Sequence, residues 1–362
     1  GIRDLVRSRG LGDVYKRQDK RMSASEAVER FLKDGDSLVY ANCLASMPLA
    51  LVHEVIRAGK KNLMLFQQGG IEEVDLMLEA GVIDKLVVAY NFRLGGKRIM
   101  PPLDRAMKEG RVQVEEMTNF TLLSMMKAGA MGYNFIPVLS GLRVTDVVKR
   151  NGFLKDQRFG EVIDPFSGEK TLVVKGYNPD CALMHVQRAD KAGNGQLWGA
   201  MINSKWAALA AKKIILSTEK IVDSDVIKSS PHLTIAPAHK VCAVVECPWG
   251  AHPSELAGGY DYDLIFRALY FASIGSPDSI KGWMDEWIYN LSDREEYINH
   301  YIEKFGEERL AVLKAKPFLS EPADYGFPFT HEWNDEGYAE KMGMNMSEFV
   351  AMLDEKGVLL EG

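Results

Sequence analysis

Two acidic residues stand directly before a helix-capping pair in Glu115-Glu116-Met117-Thr118-Asn119-Phe120. Val112 to Glu116 reads as a strand and Phe120 to Ala128 as a helix, with Thr118 or Asn119 as its N-cap. A carboxylate there gains from the helix dipole, which is a structural role. It also stands at the carboxyl edge of a sheet, where an acid or nucleophile would meet a ligand. Gln67-Gln68-Gly69-Gly70 is a second candidate. A glycine turn into a helix can aim backbone N–H groups at an anion, and the same residues also suit a plain strand–helix turn. The third is His252 in Gly250-Ala251-His252-Pro253, the only group of its loop that titrates near neutrality. A buried histidine holding backbone carbonyls is its structural alternative.

The elements that must position these residues alternate. Ser23-Ala24-Ser25-Glu26 reads as a capping box before a helix whose apolar face holds Ala27, Val28, Phe31 and Leu32. Strands follow at Ser37 to Ala41, Leu63 to Gln67, Lys85 to Tyr90 and Val112 to Glu116, each separated from the next by a helix. This order predicts an α/β fold: an open, mostly parallel sheet with helices on both faces. The turns Asn42 to Met47, Gln68 to Gly70, Asn91 to Gly96 and Glu115 to Asn119 then share one edge. Val144 to Lys170 is looser and reads as turns or a hairpin excursion.

Strands resume at Thr171 to Val174, Cys181 to Val186, Ile214 to Thr218 and Lys240 to Val245. Asp190-Lys191-Ala192-Gly193-Asn194 should reverse the chain, and Trp198-Gly199 should start a new element. From Ser279, Trp283, Trp287, Ile288, Tyr297, Ile298 and Tyr301 recur at helical spacing and define a C-terminal helical arm. Its tail, Pro317 to Pro328, should run irregularly over the surface. The expected division is residues 1–18 as a non-native tail, 19–278 as the α/β domain, and 279–362 as arm and tail. Ser8 to Gln18 matches the translation of a transposase sequencing adapter, with a genuine basic tail as the alternative.

The chain has 362 residues, 46% of them hydrophobic, enough for a large core. A net charge of −6 carries no footprint for nucleic acid. Cys43, Cys181, Cys242 and Cys247 lie in or beside apolar runs, without a CxxC pair or zinc spacing. They read as buried thiols in a reducing compartment, with no metal site. No apolar run suggests a membrane span, and no signal peptide is evident. The expectation is a cytoplasmic chain. A dinucleotide-binding reading needs GxGxxG after the first strand, and Asn42 to Pro48 contains no glycine.

The wording of one stretch is more specific than its pattern. Pro179-Asp180-Cys181-Ala182-Leu183-Met184-His185-Val186-Gln187-Arg188-Ala189-Asp190, then Gly193-Asn194 and Trp198-Gly199, resembles the α-subunit of the family I CoA-transferases, in particular the glutaconate CoA-transferase A-subunit group. Asp34-Gly35-Asp36-Ser37-Leu38-Val39-Tyr40-Ala41-Asn42-Cys43 matches the family's first strand in outline, with Ala41 and Asn42 where glycine is usual. Gly250-Ala251-His252-Pro253 is similar to a family segment, with Trp249 where many members have glycine.

The resemblance implies a two-chain enzyme whose nucleophile, a glutamate, belongs to a β-subunit. No β-subunit glutamate motif is present here. This chain would be the α-half of a hetero-oligomer, with acyl-CoA and small carboxylic acids as ligands. Coenzyme A would be substrate, with no tightly bound cofactor. Asn42, Gln68, Gly69, Gly70, Asn119 and His252 would contact substrate or CoA. Glu116 is the residue of this chain that could act in chemistry, as an acidic residue does in hydrolytic and ring-opening relatives. Two alternatives stand beside the transferase: a CoA-thioester hydrolase or ring-opening subunit of the same family, and a non-catalytic structural subunit.

Overall fold

Apolar residues alternate along each strand and serve two cores. Leu38, Leu65, Leu86, Leu183 and Ile215 face one layer, and Val39, Phe66, Val87, Met184 and Leu216 face the other. A period of two with both faces covered is the signature of a buried parallel sheet. The computed structural model describes residues 19–40, 45–91, 101–150, 152–315, 347, 348 and 351. The tail 1–18, Asn42, Cys43 and most of the loop expected between Asn91 and Pro102 lie outside the described residues, as does the segment from Pro317 to Pro328.

Helix α1 (Ala24–Phe31) begins at the Ser23 cap and leads into β1 (Ser37–Val39). Then follow α2 (Leu49–Arg57), β2 (Leu63–Gly70), α3 (Glu72–Glu79), β3 (Ile83–Asn91), α4 (Pro102–Lys108), β4 (Gln113–Glu116) and α5 (Asn119–Ala130). Thr118 is the N-cap of α5, in a reciprocal box with Thr121. The β1–β2, β2–β3 and β3–β4 pairs are all parallel.

The excursion folds as a separate three-stranded antiparallel sheet, β5 (Phe135–Pro137), β6 (Phe159–Ile163) and β7 (Lys170–Lys175), in the order β5-β7-β6. It holds the strand read at Thr171 to Val174. A four-residue helix, α6 (Asp146–Lys149), lies within it.

The main sheet resumes with β8 (Cys181–Ala189), which pairs parallel with β1. The turn at Asp190 closes a short hairpin to β9 (Gly195–Gln196). Asp190 builds that turn from inside. Its side chain accepts from the Ala192 and Asn194 N–H groups and from the Ser224 hydroxyl. Trp198-Gly199 does not open an element. Gly199 takes φ +92, and the next helix, α7 (Ser204–Ala210), starts after it.

Next come β10 (Lys213–Ile221), α8 (Ser224–Ser229), β11 (Thr234–Ala236) and β12 (Val241–Glu246). β10 pairs parallel with both β8 and β12. After α9 (Leu264–Ser273) come the helices of the arm, α10 (Pro277–Met284) continuing as a π-turn over Asp285–Tyr289, α11 (Arg294–Phe305) and α12 (Glu307–Leu313). Its aromatic stripe forms a third core, in which Phe266 meets Trp287 edge-on at 4.7 Å and Tyr297 and Tyr301 are buried.

Candidate functional site

Strand register creates a notch. β1 stops at Val39, level with Phe66 of β2 and Ala182 of β8. On one side β2 continues through Gln67, Gln68, Gly69 and Gly70, and on the other β8 continues to Ala189. Among the described residues, a short strand between two longer ones steps the carboxyl edge back at β1. The chain order also reverses here: β2, β3 and β4 extend the sheet one way from β1, while β8, β10 and β12 extend it the other. Open α/β sheets bind ligands at such a reversal. Tyr40, Ser46, His185 and Ser204 line a cavity of about 10 Å³ at the base of the notch. Ser46 has φ 54, and Ile202, just before Ser204, has φ 44. A β-branched residue in that region is held there only by its surroundings, and such positions gather at ligand sites.

The β2 wall is built on an amide and an acid. Gly69 and Gly70 do not form the glycine turn expected from sequence; they pair in register with Tyr90 and Asn91 as strand residues. A Cβ at 70 would sit 2.6 Å from Val74 Cγ2 and 2.7 Å from Asn91 Oδ1, so any larger residue would have to displace those side chains. Gln67, fully buried, donates from Nε2 to the Gly69 carbonyl at 2.9 Å and to Glu73 Oε1 at 3.0 Å. The same Glu73 oxygen accepts from the Ile71 N–H at 3.0 Å. Burial, with the Glu72 carboxylate beside it, pushes Glu73 up to about 8. Glu72 is paired instead, to Arg267 at 2.7 Å, and that guanidinium lies over the Tyr262 ring.

The other wall centres on Glu219, which reaches the edge from β10. Its carboxylate accepts from His185 Nε2 at 2.8 Å, from the Tyr260 hydroxyl at 2.8 Å, and from the Trp249 and Gly250 N–H groups. Burial raises this acid, but the His185 bond and charge and the Trp249 N–H outweigh it and leave the group below the usual carboxylate range. His185 Nδ1 meets Ser217 Oγ at 2.9 Å, so Ser217, His185 and Glu219 line up as a nucleophilic triad would. Ser217 is fully buried and its hydroxyl donates to the Met184 carbonyl, so the alignment is a brace between β8 and β10.

The residues singled out in the sequence fall in three places. Gln68, Gly69 and Gly70 stand on the notch, with Gln68 Oε1 lacking a hydrogen-bond partner among the described residues. Glu116 and Asn119 are exposed farther along the same edge, at the end of β4 and the start of α5. Neighbouring Glu115 is buried against Arg158 at 2.8 Å and bonds the Leu154 N–H, so the two acids of the pair have opposite surroundings. His252 is set back in the third core, fully buried. Its ring nitrogens meet the Tyr297 hydroxyl at 3.0 Å and Asp263 at 3.1 Å. Burial holds it below the usual imidazole value. Asn42 lies outside the described residues.

Glu73, Arg267 and Glu219 escaped the sequence reading. Glu72-Glu73 resembles ordinary acidic residues at a helix start, and the partners of Glu72 and Glu219 lie far away in sequence. The one available signal was the glycine pair one residue ahead of two acids.

The model of the coenzyme A transferase family matches residues 21–247. The A-subunit of 3-oxoadipate CoA-transferase from Pseudomonas knackmussii is 33% identical over 282 residues, which cover 76% of this chain and 96% of that protein. The A-subunit of glutaconate CoA-transferase from Acidaminococcus fermentans is 28% identical over 311 residues, 83% of this chain and 96% of its own. The crystal structure of glutaconate CoA-transferase from that organism superposes with a TM-score of 0.73, covering 82% of this chain and 96% of the matched one. The IpdA subunit of a cholesterol ring-cleaving hydrolase from Rhodococcus jostii is 26% identical over 306 residues, 82% of this chain and the whole of that protein.

Proposed function

Because this chain belongs to the coenzyme A transferase family, we propose that it is the α-subunit of an enzyme that moves CoA between an acyl-CoA and a small carboxylic or dicarboxylic acid. The observation that carries this reading is the notch at the strand-order reversal, walled by Gln67 to Gly70 and by β8. The nucleophile is a glutamate carboxylate on a partner β-subunit. It attacks the thioester carbonyl, releases CoA thiolate, and becomes an acyl-glutamyl anhydride. The thiolate then attacks the glutamyl carbonyl and frees the acyl group as its acid, leaving a glutamyl-CoA thioester. The second acid runs the sequence backwards. Dividing the exchange in this way replaces one hard step with easier ones.

This chain supplies the wall. Gln68, Gly69 and Gly70 meet the acyl group, and Asn42 and Asn119 contribute polar contacts around it. His252 acts at one remove, fixing the loop that carries Trp249 and Gly250. Exposed Tyr90 and Phe120, on the same edge as Glu116, fit a surface that a partner chain covers. Residues 19–278 form the body of this half, and residues 279–362 form its arm and tail. CoA is substrate, with no resident cofactor. No described helix is long and apolar enough to cross a membrane.

The experiment is reconstitution. Alone, the chain should show no acyl-CoA:carboxylate exchange; mixed with a β-type chain of the same family, it should. Full turnover by the isolated chain contradicts the assignment. A second reading, a thioester hydrolase or ring-opening subunit, draws on the exposed Glu116 carboxylate and on the hydrolase relative. Glu116→Gln in the complex separates the two: near-complete loss of activity favours the hydrolytic reading, and largely retained exchange favours the transferase.

A further inference from the structure

We propose that Glu73 is a positioning residue of the notch: its carboxyl ties the Gln67 side chain to the Ile71 amide and thereby sets the Gly69–Gly70 backbone that a thioester carbonyl would meet. The proposal rests on reading the notch as the acyl-CoA site.

Three contacts converge on one place. Glu73 Oε1 accepts from Gln67 Nε2 and from the Ile71 N–H, and Gln67 Nε2 also donates to the Gly69 carbonyl. Gln67 Oε1 accepts in turn from the Gln68 N–H at 3.2 Å. Every residue of the strand end from Gln67 to Ile71 is therefore bonded to this pair or stands between residues that are. Neither side chain is exposed, and Glu73 Oε2 has no hydrogen-bond partner among the described residues.

The arrangement is costly as pure scaffolding. The charged and titratable groups around it are Glu72 and Asp75 on α3, Tyr40 after β1, Arg267 and Tyr270 on α9, Tyr262 before α9, and His53 on α2. Arg267 is the cation in that set at hydrogen-bond distance from Glu72. A second buried acid beside a matched pair is kept neutral instead of paired. Glutamine at position 73 would make the same two acceptor bonds without that penalty. A titrating acid at a ligand-site wall adds a pH dependence that an amide of the same shape would lack, while the two acceptor bonds themselves are common to both.

The test reads the backbone directly, by amide exchange of the full-length chain, and so needs no transfer activity. The acid has an ordinary value of 4.5 and a buried value of about 8. The opened segment thus binds fewer protons than the closed one between those limits, and opening is favoured by up to about tenfold per pH unit. Protection of the Gly70 and Ile71 amides should therefore fall from pH 5 to 8 in the wild type and stay level in Glu73→Gln. Glu73→Ala should lose that protection at every pH and, in the complex, lower kcat more than it raises KM, with Glu73→Gln restoring kcat at neutral pH. Identical pH behaviour of wild type and Glu73→Gln overturns the proposal, as does a Glu73→Ala complex with wild-type kcat. If no complex transfers CoA while the exchange pattern holds, the fault lies in the functional reading and the positioning stands.

Discussion

At the residue scale, adjacent side chains with the same chemistry have opposite fates. Glu115 is 2% exposed and salt-bridged to Arg158, which is 3% exposed. Gly152 is confined beneath it, where a Cβ would come within 2.3 Å of the Glu115 carboxylate. Breaking a buried pair from one side leaves an uncompensated charge and costs about 3–5 kcal/mol. Glu115→Gln should lower the free energy of unfolding by roughly that amount in denaturant titration, and an unchanged midpoint would deny the pair its structural role. The sequence placed both acids at the end of a strand before a cap, which the structure bears out. It could not say which was buried, because that depends on an excursion some forty residues away. Gln68 to Gly70 were read as a candidate ligand-facing turn, and the structure corrects their backbone. Adjacent glycines signal a turn locally, yet here they extend a strand because the neighbouring β3 offers them partners.

At the element scale, short apolar runs made the strands readable and the capping residues made the helices readable. β9, β11 and α8 were missed, since two- and three-residue strands and a six-residue helix carry too little periodicity. The helical arm was visible through its aromatic spacing, but its attachment was not. That attachment is polar. Asp263 caps α9, accepts from the Tyr301 hydroxyl at 2.5 Å and faces His252, and Arg294 donates to the Trp249 and His252 carbonyls.

The arm should loosen in acid in two stages. Burial lowers His252 from 6.5, so the unfolded chain takes up this proton first and stability declines as pH drops below that value. Burial raises Asp263, but bonds from His252, Phe266 N–H and Tyr301 outweigh it and hold the group below 3.8. Its contribution is therefore full above about 4 and fades as pH falls further. Denaturant midpoints measured from pH 7 to 3 should show both declines, and His252→Gln should flatten the upper one. A pH-independent midpoint would contradict this wiring.

At the scale of the whole molecule, the sheet reverses its strand order between β1 and β8, which is where the proposed site lies, and the chain belongs to the coenzyme A transferase family. The division of labour was not visible in any single motif. As a proposal it rests on the stepped sheet edge of this chain and on relatives that are A-subunits of CoA-transferases. The measurement that tests this most directly is the intact mass of both chains once the reconstituted complex has been mixed with acyl-CoA without an acceptor acid. The account predicts a CoA adduct on the partner chain and none on this one. A CoA or acyl adduct on this chain, at Glu116 or any other carboxylate, would contradict it.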